Sequence, residues 1–145
     1  MTLTHSFATA AADKVDLSLP RLYALRAGYL FMGLGLAAVK WPHLADAADL
    51  SLYEGVTLCL LAAMSVLALL GLRYPVRLMP VLLFESAWKL LWLGVVALPR
   101  ALDGDLDSAT TQVLTNCTFV VVILAVVPWA YVVRTYLQAP GDRWR

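Results

Sequence analysis

Residues 55–72 read GVTLCLLAAMSVLALLGL, a run with no formal charge. Crossing the hydrocarbon core of a bilayer takes about 20 mostly apolar residues in a helix, so this run has the length and character of a membrane span. Three further segments read the same way. They cover about residues 22–41, 79–98 and 110–133, the last lying in an uncharged stretch from Ser108 to Val133. The third differs from the others in carrying Glu85 and Lys89 within its apolar run.

Composition agrees with a chain dissolved in lipid. Of 145 residues, 61% are hydrophobic and 14% charged. A soluble domain is closer to half apolar and a quarter charged, and so short a chain cannot hide that much apolar surface within itself. The expected fold is all-α, a four-helix transmembrane bundle in a single domain, with the bilayer as its first partner. A net charge of +1 provides no basic field for nucleic acid.

Proline marks the boundaries. Pro20, Pro42, Pro75, Pro80 and Pro99 fall between the apolar runs and Pro140 beyond the last, as expected of a residue suited to helix starts and to the segments after helix ends. Pro128 lies inside the fourth run, where it should free the Leu124 carbonyl and kink the helix. Ala24, Gly28, Gly33 and Ala37 in the first span offer a surface on which another helix can approach closely.

Lys and Arg set the expected orientation. Lys14, Arg21 and Arg26 precede or enter the first span, Arg73 and Arg77 lie between the second and third, and Arg134, Arg143 and Arg145 follow the fourth. An even number of spans puts all of these on one side. The opposite connections carry Lys40 and Arg100 among Asp46, Asp49, Glu54, Asp103, Asp105 and Asp107. The basic side is expected to be cytoplasmic, with both termini there, residues 1–20 as a cytoplasmic tail and residues 134–145 as a cytoplasmic end. Asp13, Lys14 and Asp16 interrupt any secretory signal. Tyr23, Trp41, Tyr53, Tyr74, Trp129, Tyr131 and Tyr136 fall near span ends, as interfacial aromatics do.

The candidate site is the stretch Phe84-Glu85-Ser86-Ala87-Trp88-Lys89-Leu90-Leu91-Trp92. Glu85 and Lys89 are one turn apart on one helix face, with Trp88 and Trp92 on the same stripe. At a rise of about 1.5 Å per residue, Glu85 lies roughly 9 Å and Lys89 roughly 15 Å into the span. An unpaired charge at such depth costs at least about 2.5–3.5 kcal/mol, so each needs a partner. Glu85 is expected to face the bundle interior and to contact Arg26, Lys89 or both. Asn116, Thr115 and Thr118 of the fourth span and Thr57 of the second are candidates to complete a buried polar network. The network either fixes helix register or binds a proton, an ion or a small ligand. The two indoles either pack against neighbouring helices or flank a flat ring such as a quinone.

Other patterns are weaker. Cys59 and Cys117 sit in apolar runs and read as small packing residues. His43, Asp46 and Asp49 lack a second histidine, and Asp103-Gly104-Asp105 does not match a calcium loop; both are expected to be solvated turns, with no metal site. Asp107 or a neighbour should cap the fourth span. No catalytic triad, phosphate loop or CxxC is present, and no motif for haem, flavin or an iron–sulfur cluster.

The stretch Leu25-Arg26-Ala27-Gly28-Tyr29-Leu30-Phe31-Met32-Gly33, running to Lys40-Trp41, resembles the first helix of the DoxX-like family of small bacterial four-helix membrane proteins. The stretches Arg73-Tyr74-Pro75-Val76-Arg77 and Phe84-Glu85-Ser86-Ala87-Trp88-Lys89, and the end Ala139-Pro140-Gly141-Asp142-Arg143-Trp144-Arg145, are similar to bacterial proteins of this shape. The resemblance implies a bacterial inner-membrane location and, from some members, association with membrane oxidoreductases and quinone-linked sulfur oxidation. It carries over no catalytic residue. Three expectations stand together: an accessory or scaffold subunit of a membrane complex, formed with itself or with other chains; a quinone-facing subunit of an oxidoreductase; and a small oligomeric transporter or proton conductor built on the Glu85–Lys89 stripe.

Overall fold

The computed structural model describes residues 17–140. The expected tail lies almost wholly outside this range, as do Lys14, Arg143 and Arg145. The described residues form helices and turns with no strand among them: α1 Leu19–Lys40, α2 Leu52–Gly71, α3 Met79–Trp92, α4 Leu98–Leu102, α5 Ser108–Thr118, α6 Val120–Val126 and α7 Trp129–Val132. Four helical stretches are long and apolar enough to cross a membrane: Leu19–Leu44, Leu52–Gly71, Met79–Leu102 and Ser108–Val126. The protein thus has the build of a multi-pass membrane protein.

Consecutive spans pack as neighbours. α1 lies against α2, α2 against α3 and α3 against α6, and α6 closes the ring against α1. The core contains Leu25, Tyr29 and Met32 of α1, Met64 and Ala68 of α2, Met79 and Leu82 of α3, and Ile123 of α6. The outward faces present Leu34, Leu60, Val66, Leu91, Val95 and Val121, each more than half exposed. In water such a band would be an aggregation surface; in a bilayer it is the face the acyl chains solvate.

Small residues set how closely α1 approaches its neighbours. A Cβ on Gly28 would fall 2.6 Å from Val126 Cγ2 of α6, and one on Gly33 2.8 Å from Leu69 Cδ2 of α2. The small-residue surface read from the first span is therefore used inside the bundle.

The prolines act as follows. Pro20 and Pro80 sit in the first turns of α1 and α3, where a missing N–H costs nothing. Pro99 does not end the third span, contrary to the boundary expected at residue 98. The helix widens into a π-turn over Leu93–Ala97, with the Leu98 N–H reaching the Leu93 carbonyl, and continues to Leu102. The π-turn thus stands directly before the proline, which lies in the first turn of α4, where its missing N–H is tolerated. Pro128 goes further than a kink. α6 stops at Val126, Val127 is extended (φ −66°, ψ 125°), and a new turn begins at Trp129. The fourth span, expected to reach residue 133, runs as one helical stretch only from Ser108 to Val126, with a turn at Phe119 between α5 and α6. The first begins three residues earlier than expected, at Leu19, because Ser18 and Pro20 start the helix there.

The ends are tied by side chains. Asp107 Oδ1 accepts the Thr110 N–H at 2.7 Å, capping α5. Arg100 Nη1 donates to Thr110 Oγ1 at 2.9 Å, fastening α4 to α5. The Thr110 bonds hold the Asp107 carboxyl below the usual carboxylate range.

Candidate functional site

Glu85 is fully buried and Lys89 is 9% exposed. Lys89 Nζ lies 2.8 Å from Glu85 Oε1. The Trp88 indole Nε1 donates to Glu85 Oε2 at 2.7 Å. Both partners come from the helix that carries the carboxylate, at i+3 and i+4, so α3 builds the core of this site by itself. Lys89 Nζ also sits 5.7 Å from the Trp88 ring centroid, which adds a cation–π attraction. Oε1 accepts no directed hydrogen bond and is satisfied through the ion pair alone. Ser86 is buried too, but its hydroxyl donates to the Leu82 carbonyl at 2.9 Å, within its own helix. Trp92 is half-buried one turn beyond Trp88.

Of the two partners expected for Glu85, Lys89 is the one it has. Arg26 goes elsewhere: its Nε donates to the Leu72 carbonyl at 3.1 Å, and its guanidinium lies 5.5 Å from the Tyr23 ring. The C-terminal end of α2 presents free carbonyls and the negative pole of a helix dipole, which draw a cation as a carboxylate would.

Asn116 does not join the network, because its side chain is exposed. The buried face of the fourth span runs through Thr110, Cys117, Val120 and Ile123, and Asn116 is turned off that face by one residue's rotation. Thr115 and Thr118 are exposed and donate to the carbonyls of Thr111 and Leu114 in their own helix, and Thr57 does the same with Tyr53. These hydroxyls satisfy themselves locally, the usual route for Thr in a membrane helix.

Cys117, read from sequence only as packing, is buried at 1% exposure. The signal for it was the 117, 120, 123 spacing, which marks the buried face of the fourth span. A second polar contact joins α1 and α2: Trp41 Nε1 donates to Ser65 Oγ at 2.9 Å, and Ser65 in turn donates to the Ala62 carbonyl at 2.6 Å. Trp41 therefore combines an exposed ring with an anchored N–H.

Among the described residues, no three His, Cys, Asp or Glu side chains group as a metal site. No protein-family model, curated protein or solved structure matches the chain.

Proposed function

We propose that this protein is an accessory or scaffold subunit of a membrane assembly, with the Glu85–Lys89 pair as a structural pin in its third span. One observation carries the reading: the carboxylate is fully buried, with one oxygen on the Lys89 ammonium and the other on the Trp88 indole. A group that relays protons or ions must exchange partners during its cycle. This one is held by side chains of its own helix, an arrangement suited to fixing α3 in place. The lipid-facing side of α2 supports the assembly half of the reading. Gly55, Cys59 and Ala63 recur every four residues there and line a groove of about 660 Å³ with Ala47, Leu50 and Leu60. Small residues at that spacing let a second transmembrane helix approach closely.

The test is extraction of the tagged chain from its native membrane in mild detergent, followed by native mass spectrometry and by crosslinking through Cys59. A stoichiometric partner or a second copy crosslinked at Cys59 is expected. Recovery of an uncrosslinked monomer alone would overturn the reading.

A second reading is favoured by one feature of Lys89. Its ammonium carries three N–H donors and has one acidic partner, while 11% of the side chain stays accessible. A ligand oxygen, such as a quinone carbonyl, would take a free donor beside the Trp88 ring. This would place the chain at the quinone-facing side of an oxidoreductase, the role suggested by its likeness to DoxX-like proteins of the bacterial inner membrane. Photoaffinity labelling with an azidoquinone should then mark α3, and Lys89→Met should abolish the label. Unchanged labelling in Lys89→Met would remove this reading.

A further inference from the structure

The connection between α2 and α3 is fastened to α1 at two points. Arg26 Nε donates to the Leu72 carbonyl at 3.1 Å, and the buried Tyr29 hydroxyl donates to the Pro75 carbonyl at 2.9 Å. On this braced turn Arg73 and Arg77 are both exposed. Their guanidinium carbons lie 5.5 and 5.9 Å from the centroid of one ring, that of Tyr74. Two like charges repel, so a shared ring that attracts both is what holds them together. Among the described residues, no acidic side chain lies at this end to offset them. Asp46, Asp49, Glu54, Asp103, Asp105 and Asp107 belong to the opposite end of the bundle, and Glu85 is buried against Lys89.

We propose that Arg73 and Arg77, gathered on the Tyr74 ring, bind the phosphate headgroup of an anionic phospholipid. Guanidinium groups match phosphate oxygens in geometry and are less strongly hydrated than ammonium groups. The turn lies where α2 ends and α3 begins, the level of the lipid headgroups. The occupant is a lipid and not a free anion because an apolar track continues from the site into the membrane. Leu67 and Leu70 of α2 are 44% and 46% exposed just below it, and would carry the acyl chains. This site is separate from the Glu85–Lys89 pair and does not depend on the role proposed for it.

The test uses the full chain in phosphatidylcholine nanodiscs doped with phosphatidylglycerol, with retained lipids counted by native mass spectrometry. Wild type should retain phosphatidylglycerol over phosphatidylcholine. The double variant Arg73→Gln/Arg77→Gln should lose that preference, by about fivefold per arginine. Tyr74→Leu should weaken it with both arginines still present. Arg134→Gln, on the same end but off the ring, should leave it unchanged, and added inorganic phosphate should not displace the lipid. Circular dichroism would confirm that each variant keeps its helices. Equal retention by wild type and the double variant would overturn the proposal. So would an equal loss in Arg134→Gln, which would indicate a diffuse field, or displacement by inorganic phosphate, which would indicate a free-anion site.

Discussion

The indole of Trp88 donates to Glu85 Oε2 at 2.7 Å from one turn further along the same helix, so the carboxylate has a neutral donor as well as the Lys89 ammonium. That arrangement predicts unequal costs for removing its members. Glu85→Gln leaves a buried ammonium without its counter-charge and should destabilise the fold by about 3–5 kcal/mol. Trp88→Phe removes a hydrogen bond to a charged group and should cost less, about 1.5–3 kcal/mol. The double variant Glu85→Leu/Lys89→Met removes both charges and should fall close to wild type. Unfolding by steric trapping in bicelles measures all three. A double variant less stable than Glu85→Gln would contradict the structural-pin reading.

Tyr29 and Gly71 make the tightest test of the α1–α2 contact. A Cβ on Gly71 would run into the Tyr29 ring, and that ring is fully buried with its hydroxyl held by the Pro75 carbonyl at 2.9 Å. It therefore has no room to swing away. Gly71→Ala should destabilise by about 1–3 kcal/mol, the range for overpacking, although alanine is the better helix former. Restored stability in Gly71→Ala/Tyr29→Phe would locate the cost in the tethered hydroxyl. Restored stability only in Gly71→Ala/Tyr29→Leu would locate it in the ring.

The spans were legible because length and apolarity alone define a membrane helix, and residues 55–72 show both without interruption. The Glu85–Lys89 contact was legible too, since four-residue spacing on a helix leaves the pair little choice. The third partner was harder. Spacing puts Trp88 on the stripe of Glu85 and Lys89, but nothing in it says that an indole N–H points at a carboxylate instead of packing. Sequence pairs Arg26 with Glu85 because it shows charges, while the carbonyls at the end of α2 carry no sequence signature of their own. Asn116 has the polarity and the depth expected of a partner. Depth does not fix rotation, and it is Cys117, one residue on, that faces inward. Pro99 reads as a stop because a helix that passes through a π-turn into a proline looks, in sequence, like one that ends.

Asp107 ties the start of the fourth span to pH. Its hydrogen bonds to Thr110 hold the carboxyl below the usual aspartate value near 3.8. A depressed folded-state value means that the stabilising contribution is fully present above the unfolded value and is lost as pH falls through the folded one. The cap should therefore survive at neutral and mildly acidic pH and fail only below about 3.8. The Thr110 amide resonance in a detergent-solubilised sample should follow the Asp107 titration. Asp107→Asn should keep the cap and remove the transition, since asparagine also caps helices. A Thr110 shift with its midpoint above the ordinary aspartate value would contradict the geometry.

Pro128 has no N–H with which to satisfy the Leu124 carbonyl, and the Trp129 indole Nε1 supplies the missing donor at 2.9 Å. The break in the fourth span and the seat of this tryptophan are thus two sides of one arrangement. Trp129→Phe leaves the carbonyl short of its partner and should cost about 0.5–1.5 kcal/mol. Pro128→Ala returns a backbone donor to position 128, so the helix can run on from Val126 and the indole is released. In that background Trp129→Phe should cost almost nothing, because the carbonyl no longer needs the side chain. The coupling between the two substitutions is the quantity to measure, by a double-mutant cycle with tryptophan emission as a second readout. If the two effects simply add, the indole is only an interfacial anchor, and the break at Val127 must be held by something other than this exchange of donors.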